Sequence, residues 1–371
     1  MKNQAAVCMI LSGSLLLTGC SSMLQRSYSS VTPHSAAPAV ESDHFTIRVE
    51  SYQDLVNALL YFVTQGREEG TIRLYNYPYD VEKDMQAACT EVLTEDPLGA
   101  YAVDDINYTI TPIVSCYEAS VSLRYRRTRE QITSITPTVG VTATRSALRK
   151  TLSAFREETA LKVSYFEGDE TDFRKLLEEA YFSAPETALG MPDVDISLYP
   201  ENGLHRILEV RLQFPTPVST LQRQSVLVLR MRDQLLNKLP VRQGDALLLA
   251  LCETLSGAVR YDPSASSSTY DALSNGVADS QGLALTMALL CHKLEIPCLI
   301  VSGSRDDLPH YWNIVSTQEG YRHLNLSFPP EYGESPLLFD QTMYDNGFRW
   351  DTAAFPQCAP PPDHLNSANI P

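Results

Sequence analysis

Between residues 45 and 215 the apolar positions change period several times, and each change marks an element. Residues 52–64 space their apolar side chains as a helix does, Ile72-Arg73-Leu74 alternates as a strand does, and 81–94 returns to the helical period. Two alternating runs, about 105–111 and 119–126, then read as an antiparallel hairpin. The same succession recurs downstream: a helix over 146–157, a strand near Leu161-Lys162-Val163, a helix over 171–182, and strands over 193–199 and 207–214. Asn202-Gly203 supplies a strong turn signal between the last two. Asp80 and Asp169 stand where an N-cap is needed, because a short carboxylate accepts from the first unpaired helix N–H groups.

The two successions are in register. Pro97, Pro112 and Asp84 map to Pro185, Pro200 and Asp172 at one offset of 88 residues. That spacing suits paired subdomains more than a solenoid. The expected architecture is α+β: duplicated αβαββ units at 45–130 and 141–216, a linking helix at 217–239, and a separate domain at 240–355. Asp84 and Asp172 fall in helix first turns, where a carboxylate suits the dipole. Tyr75, Tyr77, Tyr165 and Phe166 are expected as core or half-buried sheet residues. Arg124, Arg126, Arg127 and Arg129 make the one local basic run, read as a solvated strand end or a contact for wall polymer or lipid headgroups.

The ends carry different information. Residues 1–19 hold one charge, Lys2, before a short apolar stretch, and close on Leu17-Thr18-Gly19 ahead of Cys20. This has the form of a secretory signal and resembles the bacterial lipobox, in which the cysteine after the cut carries the lipid. The expectation is an extracytoplasmic protein held to the bacterial membrane through Cys20, with 20–44, rich in Ser, Ala and Pro, as a disordered tether. Residues 356–371 are expected as a disordered tail. The net charge of −16 repels phosphate backbones and argues against a nucleic-acid partner, while a mean hydropathy of −0.16 excludes a polytopic membrane protein. Cys89, Cys116, Cys252, Cys291, Cys298 and Cys358 show no metal-ligand spacing and read as buried thiols or as disulfide partners. No nucleotide, flavin or metal motif is present, so neither cofactor nor metal is expected.

The chemistry concentrates after residue 240. A helix from Gly244 is followed by a polar loop, Pro263 to Thr269, and then by Asn275-Gly276-Val277-Ala278-Asp279-Ser280-Gln281-Gly282 opening a second helix. Next come the apolar strand Cys298-Leu299-Ile300-Val301, the segment His310-Tyr311-Trp312-Asn313, and Arg322-His323-Leu324-Asn325. This order resembles the transglutaminase-like domain of exported bacterial proteins, which has the papain-like cysteine protease fold. The resemblance implies a nucleophilic Cys at the loop-to-helix junction, a His in a His-x-Trp-Asn setting, and an Asp on the strand after it. Here those positions read Ser280, His310 and Asn325, with Trp312, Asn313 and Gln281 as supporting residues.

Two of three reacting positions therefore differ. A Ser hydroxyl, unlike a Cys thiol at a helix N-terminus, has no resting anionic form and must lose its proton to a base during attack. Exchanging the carboxylate for an amide in a Ser-His-Asp protease costs on the order of 10⁴ in kcat. Cys291 lies eleven positions beyond Ser280, roughly 16 Å along a helix, too far to replace it. His292 and His323 read as ordinary residues, and Asp340 as a carboxylate that could reach His310. Two function classes remain: a non-catalytic module that binds peptide or cell-wall material, or an acyl-transfer enzyme with Ser280 as nucleophile and His310 as base.

Overall fold

The computed structural model describes residues 38–40, 46–328 and 335–360. The signal, Cys20, most of the tether and the last part of the tail lie outside the described residues.

The first unit runs β1 (Ala39–Val40), β2 (Thr46–Val49), α1 (Tyr52–Gln65), β3 (Glu69–Tyr75), α2 (Val81–Thr94), α3 (Pro97–Ala102), β4 (Val103–Ile113) and β5 (Cys116–Tyr125). Its sheet has the order β1-β2-β3-β5-β4, with β2 and β3 parallel and the other pairs antiparallel. A short α4 (Arg129–Thr133) leads to β6 (Thr136–Val139), α5 (Gly140–Ser153), β7 (Glu158–Ser164), α6 (Glu170–Phe182), β8 (Asp193–Tyr199) and β9 (His205–Gln213). This second sheet has the order β6-β7-β9-β8, with β6 and β7 parallel and the other pairs antiparallel.

Both units thus hold an opening strand, β2 or β6, that is not expected from the sequence; the second runs βαβαββ, and the first does so apart from the edge strand β1 and the short α3. Four residues are too few to show a period. What makes them strands is a parallel neighbour reached through a crossover helix, which is a tertiary relation. For the same reason the second unit starts at 136 and α5 begins at Gly140, earlier than expected. Residues 39–40, expected in the tether, add a short edge strand on β2. The caps fall where the sequence places them. Asp80 accepts from Lys83 N at 3.1 Å, and Asp169 and Asp172 form a reciprocal capping box.

Arg124, Arg126 and Arg129 of the basic run are exposed, as expected of a solvated strand end, and Arg127 is the exception. Arg126 donates twice to the Val103 carbonyl, at 3.0 and 2.6 Å, and Arg124 pairs with Asp104. Arg127 reaches across to Glu209 of the second sheet at 2.7 Å, with side chains only 13% and 1% exposed. Tyr101 and Tyr199 meet edge to face beside that pair, at 5.5 Å.

The C-terminal part comprises α7 (Val218–Leu236), α8 (Asp245–Ala258), β10 (Arg260–Tyr261), α9 (Thr269–Asn275), β11 (Val277–Ala278), α10 (Ser280–Lys293), β12 (Cys298–Arg305), β13 (Leu308–Thr317), β14 (Gly320–Leu324), β15 (Leu337–Leu338), α11 (Asp340–Asp345) and β16 (Phe348–Arg349). Its main sheet has the order β15-β14-β13-β12-β16. α7 buries Leu221, Val228 and Leu235 on a seven-residue stripe and leaves Val226 and Leu229 exposed. Among the described residues no helix is long and apolar enough to cross a membrane.

Layers follow from the shared cores. Ala160 and Ile207 of the second sheet lie in the first unit's core, while Leu161, Leu208 and Val210 on the opposite face pack with α5 and α6. That second core also takes in Ala284, Leu285 and Ala288 of α10 and Ile300 of β12, so it continues into the C-terminal domain. Residues 356–360 do not all belong to a tail, since Cys358 is fully buried beside Trp312 and Met343.

Candidate functional site

Asp279 directly follows β11 and caps α10, accepting from Gly282 N at 2.8 Å and from the Ser267 hydroxyl at 2.5 Å. The N-cap is thus Asp279 and not Ser280. Gly282 is needed here because a Cβ would come within 2.9 Å of the Ala278 Cβ and 3.0 Å of the Ser266 carbonyl. Ser280 is the first helical residue, and its Oγ accepts from Tyr311 N at 3.3 Å, across to the strand that carries His310. Asn313 on that strand donates to the Ala284 carbonyl at 3.0 Å and so ties α10 to the sheet. Gln281 makes no side-chain hydrogen bond among the described residues.

His310, Trp312, His323 and Asn325 share one face of the β13–β14 ladder, and their partners are diagonal. His310 Nε2 lies 3.4 Å from Asn325 Oδ1, which also accepts from Ser327 N at 3.1 Å. With the proton on Nε2 for that contact, the Nδ1 lone pair is free. Ser280, His310 and Asn325 are all buried, and no hydrogen bond joins Ser280 to His310 among the described residues. Rings surround the imidazole: Phe348 at 5.5 Å, Phe328 at 5.7 Å, and Tyr261 and Trp312 at 6.3 Å. Arg305 stacks its guanidinium on Phe328 at 3.7 Å. Burial pushes the pKa of His310 down, the Arg305 cation adds to that, and Asn325 and Asp279 oppose it.

A second hydrogen-bonded chain lies beside the first. Trp312 Nε1 donates to His323 Nδ1 at 2.9 Å, and His323 Nε2 meets Asp340 Oδ1 at 2.8 Å. Asp340 Oδ2 accepts from Cys358 N at 3.1 Å, and Asp340 N returns a bond to the Cys358 carbonyl at 2.9 Å. Asp340 thus serves His323 and not His310, and His323 is a fully buried link and not an ordinary strand residue. The diagonal rule for antiparallel pairs could have paired Trp312 with His323, but nothing local points to Asp340 or Cys358.

His323, Asp340 and Cys358 place their donor atoms within 4.8 Å of one another, close enough for a metal ion. The protons argue against one. Trp312 occupies the Nδ1 lone pair, so Nε2 carries the hydrogen that Asp340 accepts, and a metal on Nε2 would demand an imidazolate. Burial lifts the Cys358 thiol to about 12.

The second unit forms a wall of the site that no motif announced. Phe182 of α6 packs edge to face on Tyr311 at 5.8 Å, and Thr269 Oγ1 donates to the Ala188 carbonyl at 3.1 Å. Glu178 of α6 lies near Ser302 and Tyr311, and its carboxyl is pushed up by burial, with a hydrogen bond to Ser302 opposing. The six described cysteines are unlinked, and burial raises the Cys89 and Cys252 thiols to about 12.

No protein-family model matches the sequence, and no curated protein matches it. Among solved structures it is similar to a TGase, with 12% identity over 52% of this chain and 57% of that one, at a TM-score of 0.26. It is also similar to a candidate cysteine protease from Cytophaga hutchinsonii, with 12% identity over 36% of this chain and 62% of the other, at 0.24. The chain spans less than two thirds of either structure's length.

Proposed function

We propose that the C-terminal domain is a transglutaminase-like module that has lost catalysis and binds peptide or cell-wall material, on a lipid-anchored protein of the bacterial cell surface. The environment of His310 carries the non-catalytic reading. A general base must become an imidazolium, and here an amide stands where a carboxylate would stabilise it, while burial and Arg305 disfavour the charge. The rival reading, an acyl-transfer enzyme of peptidase, amidase or transglutaminase type, draws on one contact: the bond from Tyr311 N holds the Ser280 hydroxyl against the strand of His310. A fluorophosphonate probe separates the two. No labelling and no amidase or transglutaminase turnover are expected; labelling or turnover that disappears in Ser280→Ala would establish the serine enzyme instead.

The two βαβαββ units are read as a duplication, supported by their common strand order and by the 88-residue offset of Asp84, Pro97 and Pro112. The anchor rests on Leu17-Thr18-Gly19-Cys20. Cys20→Ala should move the protein from the membrane fraction to unprocessed precursor or medium, and unchanged processing and retention would remove the anchor from the proposal.

A further inference from the structure

We propose that the open face of the first sheet is a binding groove for an uncharged glycan chain. The two sheets share a strand order, yet their faces turned away from their own helices differ in kind. In the second sheet that face carries Ala160, Ile207 and Glu209, all buried, the first two in the first unit's core and the third on Arg127. In the first sheet the equivalent face carries a patch of four hydroxyls, one amide and the Glu69 carboxylate, flanked by Arg73 and Glu118. Thr71 of β3 pairs with Ser120 of β5, which pairs with Thr109 of β4, and Glu69, Ser122 and Asn107 form the next rung. With strands about 4.8 Å apart, each rung spans roughly 10 Å. These residues line a shallow groove of about 510 Å³, the size of a small-molecule site.

Thr71, Thr109, Ser120 and Ser122 make no side-chain hydrogen bond among the described residues. Asn107 spends one amide hydrogen on Asp105 at 2.7 Å and keeps its carbonyl for a ligand. The cations beside the groove are paired: Arg73 meets Glu118 at 2.9 Å on the next rung, and Arg124 meets Asp104 at 2.7 Å. A polyanion finds no unpaired cation there, and Glu69 would repel it. An apolar partner would bury four hydroxyls without partners, which is costly. A peptide strand adds at a sheet edge and not on its face. A sugar chain fits all three conditions, because its hydroxyls both donate and accept and it carries no net charge. The groove stands apart from Ser280 and His310, and the proposal survives if those residues turn over a substrate.

The test is titration of the full chain with soluble chitohexaose and cellohexaose, with heparin as the charged control, read by calorimetry or amide shifts. A neutral hexamer should bind and heparin should not. Thr109→Val with Ser120→Val keeps β-branched or compact side chains on an exposed face and should weaken binding about tenfold, while Ser122→Arg should fill the groove and remove it. Melting curves matched to the parent show that each variant is folded. Absence of binding by either hexamer to the unmodified protein up to about 10 mM, or binding that persists in both folded variants, would overturn the proposal.

Discussion

At position 280 the chain has a hydroxyl in a setting that would favour a thiolate, since it opens a long helix and touches the strand that carries an imidazole. Ser280→Cys should therefore be alkylated by iodoacetamide faster than Cys291 or Cys298, which sit in the core. Adding Asn325→Asp should raise the rate again by favouring the imidazolium of His310. Peptide mapping of the labelled protein measures both, and equal rates at all three thiols would contradict the assignment of the site. The histidines also set a pH dependence. Burial depresses the pKa values of His310 and His323 in the folded chain below the ordinary 6.5, so the unfolded chain binds protons first as the pH falls. Their contribution is fully present above pH 6.5 and is lost as the pH drops from there through the folded values. Urea midpoints should be steady from about pH 8 to 7 and fall below about 6.5, with a shallower fall in His323→Gln.

One amide couples two elements. Asn313 is 2% exposed and donates to the carbonyl of Ala284, a turn beyond Ser280, so it fixes how α10 lies on β13. Asn313→Ala should cost about 1–3 kcal/mol, the range for a buried group left without its partner, measurable by urea unfolding. A smaller change would mean that apolar packing of Ala284, Leu285 and Ala288 alone sets the helix position. The Trp312–His323–Asp340 chain acts likewise on the other side of the ladder, joining β13, β14 and α11 to the segment around Cys358.

Across the molecule, the two units meet through Arg127 and Glu209, an ion pair that is almost wholly dry. Breaking such a pair strands a charge, at a cost of about 3–5 kcal/mol, far above the value of a surface pair such as Arg174–Glu170. Glu209→Ala should lower urea stability by that amount, and Arg174→Ala should change it by less than about 1 kcal/mol. Comparable effects would show that the Arg127 pair is solvated in solution.

The helices α2 and α6 and their Asp80 and Asp169 caps were legible because capping and the 3.6-residue period are local. The succession of loop, helix and strands after residue 240 was legible too, with Ser280 at the start of α10 and His310 on β13. The sequence alone could not supply β2 and β6, whose four residues acquire strand form only from a parallel neighbour. It could not choose between His310 and His323 as the partner of Asp340, because side chains 17 residues apart meet only once β14 and α11 are packed. Nor could it show that the Arg127 side chain is only 13% exposed while Ser120 and Ser122 face water. Local periodicity fixes which side chains share a face of an element; whether that face meets solvent, a helix or another unit depends on contacts between residues far apart in the chain.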